Sequence, residues 1–133
     1  MPLFSFSGKR PTNLGTTEGQ LAACPDTPNC VSSQATDKAH SIAPIRYEGS
    51  ASEAIAQLKS IVQSMDRTQI VTEKSDYLHA EFTSQLMGFV DDVEFFVPGG
   101  ENIIHVRSAA RLGKSDLGIN RKRIEEIRDR FQA

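Results

Sequence analysis

Residues 77–110 read YLHAEFTSQLMGFVDDVEFFVPGGENIIHVRSAA, and this stretch decides the fold. Tyr77 to Thr83 alternates, with Leu78, Ala80 and Phe82 on one face and Tyr77, His79, Glu81 and Thr83 on the other, which is the period of a half-buried strand. A short connection containing Gly88 leads to a second run, Phe89–Val97. Pro98-Gly99-Gly100-Glu101 is a hairpin signal, after which Asn102–Ala109 returns. A loop centred on Gly99-Gly100 sets Val97 opposite Asn102, so Phe95 faces Ile104, Val93 faces Val106 and Asp91 faces Ser108. On the reverse face Glu94 then falls opposite His105, and Asp92 opposite Arg107. Joint burial of Val93, Phe95, Ile104 and Val106 resists a one-residue slip, because such a slip turns every side chain of one strand over.

The same burial argument fixes the preceding strand, placing His79 beside Glu94 and Glu81 beside Asp92. Two polar rows are therefore predicted across the sheet, His79–Glu94–His105 and Glu81–Asp92–Arg107. A solvated face would carry these as cross-strand ion pairs, each worth under ~1 kcal/mol. Two imidazoles around a carboxylate could also hold a metal ion, or supply a general base with its orienting group.

Upstream, Thr68–Glu73 is rich in β-branched residues and Ser75-Asp76 reads as a turn. Ser50 and Glu53 have capping-box spacing, and Ile55, Leu58, Val62 and Met65 follow as one apolar stripe of a helix. Ile42–Tyr47 reads as a short edge strand, with Pro44 excluding a central position. Downstream, a polar turn, RLGKSDLG, leads to a helix from about Ile119 to Phe131, with Ile124, Ile127 and Phe131 on one side. The order of helix, antiparallel strands, helix predicts an α+β fold. Its antiparallel sheet has about four to five strands, and both helices pack on one face. Residues 1–41 show neither period, so 1–20 reads as a loose N-terminal arm and 21–133 as one domain, beginning with an ordered wrap.

At 133 residues the chain fits one domain, and its 38% hydrophobic and 24% charged content is ordinary for a soluble globular protein. Trp is absent and aromatics are 7%, which argues against a stacking platform for nucleic acid, and the net charge of -2 against a general DNA binder. No apolar run approaches the ~20 residues of a membrane span. The opening MPLFSFSGKRP has its charges after a short apolar start, the reverse of an export signal, so a cytoplasmic setting is expected. Charge is polarised along the chain: residues 66–102 are strongly acidic and residues 103–133 basic. The two parts either neutralise each other within the fold or leave a basic patch that holds an anion.

Cys24 and Cys30 bracket Pro25-Asp26-Thr27-Pro28-Asn29, and the prolines could hold the thiols within bonding distance. Reduced structural thiols, a disulfide and a reactive thiol all remain open readings. Zinc would need further soft ligands, and the chain has no other Cys.

CPDTPNCVSS, then GFVDDVEFF, then IHVRSAARLGKSDLGINRKRIEEIR, in this order and spacing, resemble the domain-of-unknown-function 1499 family over about residues 20–131. The family pattern usually runs Ser-Ala-Ser-Arg where this chain has Ser108-Ala109-Ala110-Arg111. The resemblance carries no activity with it. It marks Asp91, Asp92, Glu94, His105, Arg107, Ser108, Arg111, Ser115, Asp116, Asn120 and Arg121 as motif positions, too polar for a packing signature alone.

Three functions follow as expectations. The first is a non-catalytic binding module for an anionic small molecule or a protein partner, with Asp92, Glu94, His105, Arg107, Ser108, Arg111, Ser115 and Arg121 as ligand-binding residues. In that reading Arg107, Arg111 and Arg121 converge near the start of the last helix and hold a phosphate or carboxylate. The second is an assembly factor docking through the N-terminal arm and Cys loop. The third is a hydrolase-like or metal-dependent enzyme using His105 with Glu94 or Asp92. No GxSxG, HExxH, P-loop or dinucleotide motif occurs, so no cofactor, resident metal or catalytic residue is assigned.

Overall fold

The structure, a computed structural model, describes residues 8–85, 88–113 and 118–133. In chain order the elements are β1 (Thr16–Thr17), β2 (Gln20–Leu21), β3 (Cys30–Ser32), β4 (Ile45–Arg46), α1 (Ala51–Ser64), β5 (Thr68–Glu73), β6 (Tyr77–Thr83), β7 (Val90–Phe96), β8 (Ile103–Ala110) and α2 (Ile119–Phe131). The chain is a single α+β domain. Its main sheet is antiparallel in the order β3-β8-β7-β6-β5, with β4 also pairing β8, and β1 with β2 forms a separate two-stranded hairpin. The sheet has six strands where four to five were predicted. The difference lies at one edge: β3 and β4 follow one another along β8, through Cys30↔Ala109 and Ile45↔Ile104. The edge strand expected over Ile42–Tyr47 is present as β4, whereas β3, at three residues, carries almost no periodic signal of its own.

Local chemistry sets the helices. The Ser50 hydroxyl accepts the Glu53 N–H while the Glu53 carboxylate accepts the Ser50 N–H, closing the capping box that the sequence predicts. Ala54, Ile55, Leu58 and Val62 of α1 are buried, as are Ile124, Ile127 and Phe131 of α2. Both stripes pack on the same sheet face, against Leu78, Ala80 and Phe82 of β6, Val93 and Phe95 of β7, and Ile104 and Val106 of β8. This is the core, and it holds the sheet's other face in place.

That other face is not open to solvent. Residues 8–23 run across it as a strap, so the reading of 1–20 as a loose arm does not hold for residues 8–20. The strap turns back at Glu18 and Gly19, both at positive φ (53° and 75°), as a two-residue hairpin turn requires. Leu21 packs on Tyr77 and Phe96, the Gly15 N–H donates to Glu94, and Arg10 pairs with Glu81.

The pairing of β6 with β7 is as predicted, with His79 opposite Glu94 and Glu81 opposite Asp92. The β7–β8 pairing is displaced by two residues from prediction: Phe95 faces Val106, Glu94 faces Arg107, Asp92 faces Ala109 and Phe96 faces His105. The connection is longer than a turn centred on Gly99-Gly100, because its two ends are held by the β5–β6 turn and by the residue after β4. The Val97 N–H donates to the Asp76 carbonyl, and the Tyr47 N–H to the Asn102 carbonyl. A shift of two preserves the face of every side chain.

Candidate functional site

The register places seven polar side chains on the strap-covered face, arranged in two clusters. In the first, Glu94 is fully buried and accepts the Tyr77 hydroxyl and, at 2.7 Å, the Gly15 N–H. Arg107 lies opposite it, with Nη1 3.7 Å from the carboxylate and Nη2 donating to the Ala23 carbonyl. Glu94 Oε1 and Arg107 Nε have no hydrogen-bond partner among the described residues. Burial lowers the Arg107 pKa below its ordinary value, with Glu94 and Asp92 opposing that shift. Burial, then the bond to Glu94, raises that of Tyr77.

In the second cluster, Asp92 accepts His79 Nε2 at 2.8 Å and both Nε and Nη2 of Arg111, at 2.7 and 2.9 Å. Arg111 also donates to Glu81, whose carboxylate takes Arg10 at 2.8 Å. Burial alone would raise the Asp92 carboxyl, but the hydrogen bonds from Arg111 and His79 outweigh it and hold the group below the usual carboxylate range. Glu81 is lowered in the same way, burial being overcome by Arg10 and Arg111. Ligand atoms of His79, Glu81 and Asp92 lie within 4.8 Å of one another, close enough for a divalent cation. The positive charge at that point is supplied by the Arg111 guanidinium, forked onto Asp92.

The predicted polar rows are thus corrected. Arg107 takes the place assigned to His105 beside Glu94, and Arg111 the place assigned to Arg107 beside Asp92. His105 sits opposite Phe96, and its Nδ1 accepts from the Ser33 hydroxyl, which in turn accepts the Val106 N–H. Burial lowers the His105 pKa, in keeping with a neutral, accepting ring. The pairing of His105 with Glu94 or Asp92, on which the enzyme reading depends, is not formed.

Arg107, Arg111 and Arg121 do not converge. Arg107 and Arg111 lie under the strap, whereas Arg121 donates from α2 to the Ser41 and Ala39 carbonyls. Ser108 is on the core face, donating to Asn120 Oδ1, and Asn120 Nδ2 donates to the Asn29 carbonyl. This chain of bonds ties β8, α2 and the Cys loop together and is wholly buried. Asp91 pairs with Arg123 rather than with any of the three predicted arginines. Ser115, Asp116 and Lys114 lie outside the described residues.

Cys24 and Cys30 are joined as a disulfide, with Cα atoms 5.7 Å apart. The bridge fastens the end of the strap to β3. His40 pins the loop between them: Nε2 donates to the Thr27 carbonyl at 2.9 Å and Nδ1 to the Asp37 carboxylate. With both ring nitrogens donating, the imidazolium is favoured. The Thr27 carbonyl, then Asp37, raise the His40 pKa above its ordinary value.

A second region has no periodic signature in the sequence. At the end of the sheet, among Phe82, Ser84, Gln85 and Phe89 at the ends of β6 and β7, Leu112 and Gly113 after β8, and Ile119 at the start of α2, a cleft of about 520 Å³ opens. Its floor includes Phe82, with the Arg123 guanidinium 4.9 Å over the ring, and Val90. Its walls include Phe89, Leu112 and Ile119, exposed to 42, 41 and 50%. Asp66 and Arg67 of the α1–β5 turn stand at its rim. The signal available in the sequence was Ile119, an apolar residue at the very start of a helix whose apolar stripe is Ile124, Ile127 and Phe131.

The family described as "Protein of unknown function (DUF1499)" matches residues 20–131. No curated protein matches the chain. The match spans β2 to α2 and therefore the main sheet, the cleft and the two charged clusters apart from Arg10 and Gly15. Among the described residues, no helix is long and apolar enough to cross a membrane.

Proposed function

The chain belongs to the DUF1499 family, and with no activity attached to that membership we propose from its own geometry that it is a non-catalytic binding module whose ligand seats in the cleft at the end of the sheet. One observation carries this reading. The exposed large hydrophobic residues among those described, Phe89, Leu112 and Ile119, all line the same cleft. Scattered exposed apolar residues need no explanation, but a contiguous set around a concavity marks a contact surface. The volume lies within the roughly 300–1,000 Å³ of small-molecule sites, which are mostly apolar with a few placed polar groups.

The buried clusters favour the same choice by exclusion of a rival place for the ligand. Asp92, Glu81 and Arg111 satisfy one another, and the strap covers the Glu94–Arg107 pair. Their role is scaffold: they fix the strap to the sheet, and the sheet carries the cleft. The anion expected at Arg107, Arg111 and Arg121 has no shared position there.

The test uses Nile red, a neutral dye that brightens in apolar sites. The full chain should bind it saturably, with one site per chain. Leu112→Glu sets a carboxylate on the cleft wall and should weaken binding at least about ten-fold, since an unpaired charge resists desolvation. Thermal stability should be unchanged, because Leu112 is exposed in the native state. Absence of saturable binding, or binding indifferent to the substitution, would remove the cleft as the site.

A further inference from the structure

We infer that the cleft's ligand is a small amphiphile bearing a carboxylate, and that Arg67 at the rim is the residue that reads its charge. The inference rests on the cleft being the binding site and adds the ligand's chemical class. Two arginines line the cleft, Arg67 and Arg123. Arg123 is engaged: its Nη1 donates to Asp91 at 2.8 Å and to Asn120 at 2.8 Å, and its guanidinium covers Phe82. Arg67 is held differently. Its Nε donates to the Thr83 carbonyl at 3.1 Å, and its own carbonyl accepts the Thr83 N–H at 3.0 Å. This reciprocal clamp fixes the side chain's stem to the end of β6. Among the described residues, the two terminal nitrogens of Arg67 make no hydrogen bond or ion pair, and none joins it to its neighbour Asp66.

The backbone supplies an independent observation. Arg67 has φ of 55°, in the left-handed region that a glycine or asparagine adopts with less strain. Glu18 also lies at positive φ, but as one half of a hairpin turn that demands it. At Arg67 the chain reverses from α1 into β5, and glycine would serve that reversal better. A strained position holding a long cationic side chain with a free head, beside an apolar cavity, points to a use for the head.

The chemistry of the occupant follows. An apolar body fits against Phe89, Leu112 and Ile119. A planar guanidinium with two free N–H ends matches a carboxylate through a bidentate fork, better than an ammonium would. A cation would meet Arg67 unfavourably, and a purely neutral lipid would leave it unused. The size of the cleft suits one small molecule rather than a folded partner.

The experiment displaces Nile red from the full chain with decanoate and with 1-decanol, which share the alkyl chain and differ in the head. The wild-type chain should prefer decanoate by about ten-fold, equivalent to about 1.4 kcal/mol. Arg67→Gly, which also relieves the φ strain and so retains the fold, should abolish that preference while decanol still competes. Arg67→Lys should keep only part of it. Equal affinity for the two ligands, or a preference that survives in Arg67→Gly, would overturn the assignment. So would displacement by an acidic, apolar peptide in an Arg67-dependent way with no effect of decanoate. Nile red binding that is lost in Leu112→Glu while decanoate shows no preference sinks the Arg67 reading alone. Absence of dye binding to the wild-type chain sinks the cleft itself.

Discussion

Glu94→Leu is expected to destabilise the fold by about 3–5 kcal/mol. The size comes from what the substitution strands. Glu94 is fully buried, and Arg107 across from it is nearly so. Removing the carboxylate leaves the guanidinium without its facing charge, and the Tyr77 hydroxyl and Gly15 N–H without an acceptor. Domains of this size hold roughly 5–15 kcal/mol in total, so the variant would retain little of it. Glu94→Leu with Arg107→Leu should recover the part of the loss that comes from the unpaired guanidinium, because replacing both members of a buried pair with apolar residues is often neutral or better. Urea denaturation of the two variants and the wild type measures this. A single variant within about 1 kcal/mol of wild type, or a double variant no better than the single, would show that the pair does not hold the strap-covered face together.

Asp92→Ala is expected to cost about as much, about 3–5 kcal/mol, and to change how stability depends on pH. Asp92 takes His79 and both arms of the Arg111 fork, so its loss removes the acceptor of three N–H groups on two side chains inside the protein. The folded-state pKa values of Asp92 and Glu81 are both lowered. A carboxyl lowered on folding adds stability above its unfolded pKa, about 3.9 for Asp and 4.3 for Glu, and loses it as pH falls through the folded value. The wild-type chain should therefore lose stability steeply as pH falls below about 4. Asp92→Ala removes one of these groups, so its stability should fall less per pH unit over that range. Denaturant midpoints from pH 6 down to the acid transition give both slopes. An unchanged slope would mean that Asp92 is not the group that couples folding to protons.

The sequence revealed those parts of the fold whose signals are local. The capping box at Ser50 and Glu53 needs four consecutive residues, and it formed as read. The β6–β7 pairing followed from matching Leu78, Ala80 and Phe82 to the core face, and each predicted partner was correct. The β7–β8 register missed by two because its cause is not local. Ile104 is engaged by Ile45, and Asn102 by Tyr47, both more than fifty positions earlier, so the strand ends diverge before the expected tight turn. The even shift kept Glu94, Arg107 and Asp92 on one face but exchanged their partners, so the right residues were gathered in the wrong pairs. The strap was illegible for a plain reason: it is held by single contacts such as Gly15 to Glu94, which impose no period on the sequence. The cleft was illegible for another. Phe89 and Leu112 sit just outside the regular elements and Ile119 at the very start of α2, where an apolar residue reads as noise until the three ends are brought together.

Amide chemical-shift mapping locates the place of binding residue by residue. With ¹⁵N-labelled full chain titrated with decanoate, shifts should concentrate at Thr83, Phe89, Leu112 and Ile119, with Gly15, Ala23 and Glu94 unmoved. Shifts centred on the strap and the Glu94–Arg107 pair, with the cleft amides silent, would contradict binding in the cleft and return the function to the buried charged face.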